Sequence, residues 1–105
     1  MSVLLDPPGN EIRALLKAAG SFQDKRVLEI GCGDGRLTWL YAHQAGSIVG
    51  IDPDPDRIQL AQRSVPEELR QRVQLIGADL DEFYQSWQTQ LPLERFDLAI
   101  LSWSL

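Results

Sequence analysis

The chain is poor in the residues that metal and nucleophile chemistry most often uses. Its 105 residues include one cysteine, Cys32, and one histidine, His43. A single cysteine excludes an internal disulfide and suits a reducing compartment. One cysteine and one histidine are too few for a Cys/His metal cluster, and no Ser-His-Asp arrangement suggests itself. Asp34, Asp52, Asp54 and Asp56 crowd together, but turn capping accounts for several of them, so no metal is expected. No apolar stretch approaches the length of a membrane span. Met1 to Pro8 lacks the basic region and apolar run of a secretory signal. Basic residues are outnumbered, 10 against 15 acids, giving a net charge of −5. With no basic patch, a nucleic acid or an anionic membrane is a disfavoured partner. These absences leave a soluble cytoplasmic protein as the expectation.

What is present alternates. Asp6 to Asn10 is a turn-rich lead-in, and Asn10 can cap a helix over Glu11–Ala19 with Ile12, Leu15 and Leu16 on one face. Arg26–Ile30 reads as a buried strand. Gly35–Ala45 reads as a helix with Leu37, Leu40 and Tyr41 inward and His43 near its end, at the surface. Ser47–Ile51 is the second strand. Asp54 caps the next helix, with Pro55 at its first position and Ile58, Ala61 and Val65 toward the sheet. Pro66-Glu67-Glu68 restarts a short helical piece. Arg72–Gly77 is the third strand. A helix runs from Asp81 to about Gln90, with Phe83, Tyr84, Trp87 and Leu91 available to pack. Phe96–Leu101 is the fourth strand.

This α-βα-βα-βα-β order implies one α/β domain over residues 1–105, a three-layer, doubly wound, Rossmann-like parallel sheet. Doubly wound order makes it 3-2-1-4, apparently truncated after strand four. An exposed apolar edge on strand four would need cover. Continuing chain, a bound partner or a homodimer through that edge would supply it.

The chemistry concentrates between Arg26 and Asp52. Gly31, Gly33 and Gly35 follow the first strand directly. Glycine permits positive φ and lets a ligand approach the backbone. The following helix start offers N–H groups to a carboxylate or phosphate. A dinucleotide fingerprint would place a third glycine where Arg36 stands, and no Gly-Lys-Ser/Thr closes a P-loop. Asp52, 21 residues beyond Gly31, sits at the tip of strand two. That spacing suits an acid that bonds ribose hydroxyls; an Asx cap in Asp52-Pro53-Asp54-Pro55 is compatible with that role. Glu29, a charge in a buried strand, needs a partner. It faces a ligand or is half-exposed and bonded to neighbouring backbone. Cys32 is read as a small residue chosen for fit.

Four motifs in order resemble the class I S-adenosylmethionine-dependent methyltransferases, in their N-terminal, cofactor-binding half. They are Val27-Leu28-Glu29-Ile30-Gly31-Cys32-Gly33-Asp34-Gly35, Ile48-Val49-Gly50-Ile51-Asp52, Gly77-Ala78-Asp79-Leu80 and Phe96-Asp97-Leu98-Ala99-Ile100. The resemblance implies S-adenosylmethionine as cofactor and methyl transfer to a small molecule or a protein side chain. It implies that Glu29 and the backbone of Gly31, Cys32 and Gly33 hold the methionine part. Asp52 then takes the ribose and Pro53 lies against adenine. Asp79 accepts from the adenine amino group, with Ala78 and Leu80 beside it, and Ser102 and Trp103 line the sulfonium end. It names no catalytic residue. The Asn-Pro-Pro-Tyr motif of amino-directed nucleic-acid enzymes is missing, and Leu101-Ser102-Trp103-Ser104 stands in its place. Two alternatives stay open: a non-catalytic module that binds the same cofactor, and a nicotinamide oxidoreductase fragment.

Overall fold

The computed structural model describes residues 2–6, 22–87 and 96–102. The strands are β1 (Ser2–Asp6), β2 (Arg26–Ile30), β3 (Ser47–Asp52), β4 (Val73–Gly77) and β5 (Leu98–Ser102). The helices are α1 (Arg36–Tyr41), α2 (Pro55–Ser64) and α3 (Leu80–Trp87), with a 3₁₀ turn at Glu67–Leu69. The strands form one sheet in the order β1-β5-β2-β3-β4. Every pairing is parallel. The four expected strands therefore stand in the order 3-2-1-4. The expected helix over Glu11–Ala19 lies outside the described residues, as does Leu91.

The fifth strand is a correction. Ser2–Asp6 pairs with Leu98–Ser102 in register, Ser2 opposite Leu98 and Asp6 opposite Ser102. The edge expected to lie open on the fourth strand is thus occupied by the chain's own N-terminal segment. A homodimer through that edge has no free ladder to use. Val3-Leu4-Leu5 is too short an apolar run, without alternation, to mark a strand from sequence.

Strand alternation divides the core into two faces. Val27, Ile48, Leu98 and Ile100 pack with Phe22, Tyr41, Ala42 and Ala45 on one face. On the same face Leu75 packs with Ile58 and Ala61 of α2. Leu28, Val49, Ile51 and Ala99 point the other way, onto Phe83 of α3, Ala78 and Phe96. Helices α1 and α2 therefore cover one face and α3 the other. Phe22 stacks on Tyr41 with ring centroids 4.5 Å apart and planes 16° from parallel, a contact worth about 1 kcal/mol beyond its area.

Parity also decides Glu29. It shares a face with Val27, so it points into the sheet–α1 interface and is fully buried. Its Oε1 accepts hydrogen bonds from Thr38 Oγ1 and Tyr41 Oη, each at 2.6 Å. This corrects the orientation of α1. Thr38 and Tyr41 face inward, with Ala42 and Ala45 buried beyond the helix end, whereas Leu40 is 59% exposed. A carboxylate on that face requires hydroxyl donors opposite it, and Leu40 has none to give. Tyr84 of α3, expected to pack, is also exposed.

At the amino ends of the strands, Asp97 locks β2 to the start of β5. Its Oδ2 accepts from Arg26 N at 3.0 Å and Arg26 Nε at 3.1 Å, and Oδ1 accepts from Nη2 at 3.0 Å. These hydrogen bonds hold the Asp97 carboxyl down at about 2. Among the described residues no helix is long and apolar enough to cross a membrane.

Candidate functional site

The carboxyl ends of β2, β3, β4 and β5 converge on a cavity of about 440 Å³, within the size range of small-molecule sites. Ile30 and Gly31 of the first turn line it, with Ile51, Asp52, Pro53, Asp54 and Arg57 from β3 and α2. Ala78, Asp79 and Leu80 come from the β4–α3 junction, and Leu101 and Ser102 from β5.

The glycine turn is built for close approach. Gly31 has φ +81°, and a Cβ there would stand 2.2 Å from the Ser102 carbonyl oxygen. Only glycine lets the turn lie against the end of β5. Gly35, with φ +90°, is the N-cap of α1, and a Cβ there would meet the Trp39 ring at 2.7 Å.

Most of the turn's N–H groups are spent internally, contrary to the expectation of an open anion cradle. Gly31 N and Cys32 N donate to Ile51 O, and Gly35 N donates to Cys32 O. Gly33 N donates to Asp52 Oδ2 at 2.9 Å, and Arg36 N to Asp34 Oδ1 at 3.2 Å. The helix that follows is only six residues long. The turn therefore shapes the wall of the cavity more than it presents donors.

Asp52 joins the parts. It is 6% exposed. Oδ2 accepts from Gly33 N, and Oδ1 accepts from Asp54 N at 2.9 Å. A carboxylate has about four acceptor positions, so two bonds leave capacity for two hydroxyls. Asp54 in turn caps α2, its Oδ1 accepting from Asp56 N at 3.0 Å and Arg57 N at 3.4 Å. Across the cavity, Asp79 and Glu82 form a reciprocal capping box at the start of α3. Glu82 N donates to Asp79 Oδ1 at 2.8 Å and Asp79 N to Glu82 Oε1 at 3.1 Å. Ala78 N donates to Asp52 O, tying the two acidic corners together.

Of the residues named from sequence, Gly31, Asp52, Pro53, Ala78, Asp79, Leu80 and Ser102 lie together in the cavity wall. Glu29, Cys32, Gly33 and Gly35 are not among the lining residues, and Trp103 is outside the described residues. Cys32 is buried. Burial first, and then the charges of Glu29 and Asp52, push its thiol well above the usual range. Such surroundings favour the neutral thiol over the thiolate. Its Sγ fills the space left by Gly50, where a Cβ would stand 3.1 Å from it. Ile30, Ile51, Asp54, Arg57 and Leu101 complete the wall and were not named as site residues from sequence. Arg57 had one available signal: it lies one helical turn past the cap that follows Asp52. Among the described residues no group of three or more His, Cys, Asp or Glu is placed to hold a metal ion.

Comparison with known proteins places this geometry. The model of the methyltransferase-domain family matches residues 27–105. The chain is 33% identical to the ubiquinone biosynthesis O-methyltransferase of Azorhizobium caulinodans over 93% of its length and 34% of that protein's. It is 32% identical to protein arginine N-methyltransferase 1 of Chlamydomonas reinhardtii over 88% of its length and 25% of that protein's. Among solved structures, an S-adenosylmethionine-dependent methyltransferase from Mesorhizobium loti superposes with TM-score 0.67 at 26% identity, covering 91% of this chain and 41% of that one. An RNA methyltransferase from Salinibacter ruber in complex with S-adenosylhomocysteine shares the fold, with TM-score 0.68 at 22% identity over 91% of this chain and 59% of that one. The chain spans about a quarter to a third of the length of the curated relatives it matches. Sheet order, glycine turn, strand-tip acid and family match agree: the chain belongs to the class I S-adenosylmethionine-dependent methyltransferases and carries their cofactor-binding half.

Proposed function

We propose that these 105 residues form one domain that binds S-adenosylmethionine in the cavity at the carboxyl edge of the sheet. The whole protein then transfers the methyl group to a small molecule or a protein side chain. The observation that carries this reading is Asp52: a strand-tip carboxylate, nearly buried, in the cavity wall, with acceptor capacity beyond its two backbone bonds. In this reading it accepts from both ribose hydroxyls. Pro53, Ala78, Asp79 and Leu80 hold the adenine, with Asp79 accepting from its amino group. Gly31 lets the rest of the cofactor pass close to the backbone toward Ser102. The cofactor, when bound, supplies a methyl group activated on a sulfonium. The chain's own contribution is to fix the direction of that group and keep water from it. Glu29 supports the turn from beneath through its Oε1, which accepts from Thr38 and Tyr41.

A nicotinamide dinucleotide fits less well. Its pyrophosphate needs N–H donors from the turn, and those of Gly31, Cys32, Gly33, Gly35 and Arg36 are already engaged. The relatives differ in acceptor, among them by name a protein arginine N-methyltransferase and an O-methyltransferase of ubiquinone biosynthesis. The net charge of −5 disfavours a polyanionic acceptor docking on these residues. A cytoplasmic setting goes with this reading, since the one cysteine is buried and unpaired.

Calorimetric titration with S-adenosylmethionine, S-adenosylhomocysteine and NAD tests the proposal. The adenosyl sulfur compounds are expected to bind at about micromolar Kd, and NAD not to bind. Asp52→Ala is expected to weaken binding tenfold or more, at least about 1.4 kcal/mol. A folded chain that binds none of them, or binds NAD best, contradicts the reading.

A further inference from the structure

Arg57 carries one more assignment. The two helices that open at the cavity approach it from opposite faces of the sheet. Helix α2 covers the face that holds Leu75, with Ile58 buried there. Helix α3 covers the face that holds Val49 and Ile51, with Phe83 buried there. Arg57 stands in the first turn of α2 and Leu80 is the first residue of α3. Both line the cavity. A flat group entering at the ends of β3 and β4 therefore passes between an arginine from one layer and a leucine from the other. Arg57 is half-buried and is the one cation among the described lining residues, beside the carboxylates of Asp52, Asp54 and Asp79. Its backbone is tied to the ribose acid through a short chain of bonds, Asp54 N to Asp52 Oδ1 and Arg57 N to Asp54 Oδ1.

We propose that Arg57 is a positioning residue for the purine, laying its planar guanidinium against one face of the base while Leu80 covers the other. This rests on the cofactor reading above and adds a wall that the four motifs do not contain. A guanidinium stacks on a π face through both its plane and its charge. Lysine keeps the charge and loses the plane. The base, and not the amino-acid tail, is what Arg57 holds.

The test uses two ligands that share the adenosine half: S-adenosylhomocysteine, and 5′-methylthioadenosine, which lacks the amino-acid tail. Arg57→Ala is expected to weaken both to the same extent, by about fivefold. Arg57→Lys is expected to fall in between, weakening both by about half that factor. Unchanged thermal midpoints of the ligand-free variants keep the comparison on binding. Methylthioadenosine binding unmoved by Arg57→Ala overturns the assignment, as does a loss confined to S-adenosylhomocysteine, which would put Arg57 on the tail. Full recovery in Arg57→Lys overturns stacking in favour of charge alone. A wild-type chain that binds neither compound overturns the cofactor reading itself.

Discussion

Two acids on neighbouring strands, Glu29 in the body of β2 and Asp52 at the tip of β3, have opposite fates. Both are nearly or fully buried. Glu29 lies under α1, where its Oε1 accepts from two hydroxyls. Asp52 lies at the end of its strand, is satisfied by two backbone N–H groups, and opens onto the cavity. The difference is one of position along the strand. A side chain in the body must point to one layer or the other, and there it meets a helix. A side chain at the tip has no helix above it, because the chain is turning. An acid in the body is thus a brace, and an acid at the tip is available to a ligand.

The largest expected effect breaks the brace. Glu29→Ala strands the Thr38 and Tyr41 hydroxyls in the core and leaves a cavity, costing about 3 kcal/mol of stability. Urea unfolding, read as a lower midpoint at unchanged slope, measures it. Asp52→Ala costs less, about 1–2 kcal/mol, because water can reach part of what it leaves. Thr38→Val removes one of the two hydroxyl bonds at similar size and is expected to cost about 1 kcal/mol.

Smaller effects lie in the pH dependence. Burial, and then the charge and hydrogen bond of Glu29, raise the Tyr41 phenol well above its ordinary value of 10.0. A raised folded pKa gives stability that is complete below the unfolded value and is lost as pH rises past it. Unfolding free energy is therefore expected to fall above about pH 10, with a shallower fall in Tyr41→Phe. Asp97 has the opposite sign. Its folded pKa of about 2 lies below the ordinary 3.8, so its contribution is present above pH 3.8 and lost as pH falls toward 2. Asp97→Asn is expected to flatten that acid limb, as read by denaturation midpoints between these pH values.

Most of the frame was legible in the residues themselves. Val27 to Ile30, three glycines and Asp52 specify a strand, a turn and a second strand tip from local chemistry alone. Asp54-Pro55 specifies the start of α2 for the same reason, and the cap is there. What escaped depends on partners distant in sequence. The inward turn of Thr38 in place of Leu40 follows from Glu29, nine residues earlier. The placement of Ser2–Asp6 follows from β5, at the far end of the chain. Arg57 enters the cavity wall because α2 covers a particular face of the sheet, and its place one turn past the Asp54 cap was the one local sign of it.

The distinction between brace and ligand acid is tested most directly by titrating S-adenosylhomocysteine into Glu29→Gln and Asp52→Asn side by side, with urea unfolding of each. Glu29→Gln is expected to lose the more stability and keep Kd within about threefold, while Asp52→Asn is expected to keep most of its stability and lose about tenfold in Kd or more. Equal affinities in the two variants, or a tenfold loss in Glu29→Gln with Asp52→Asn unchanged, would contradict that distinction.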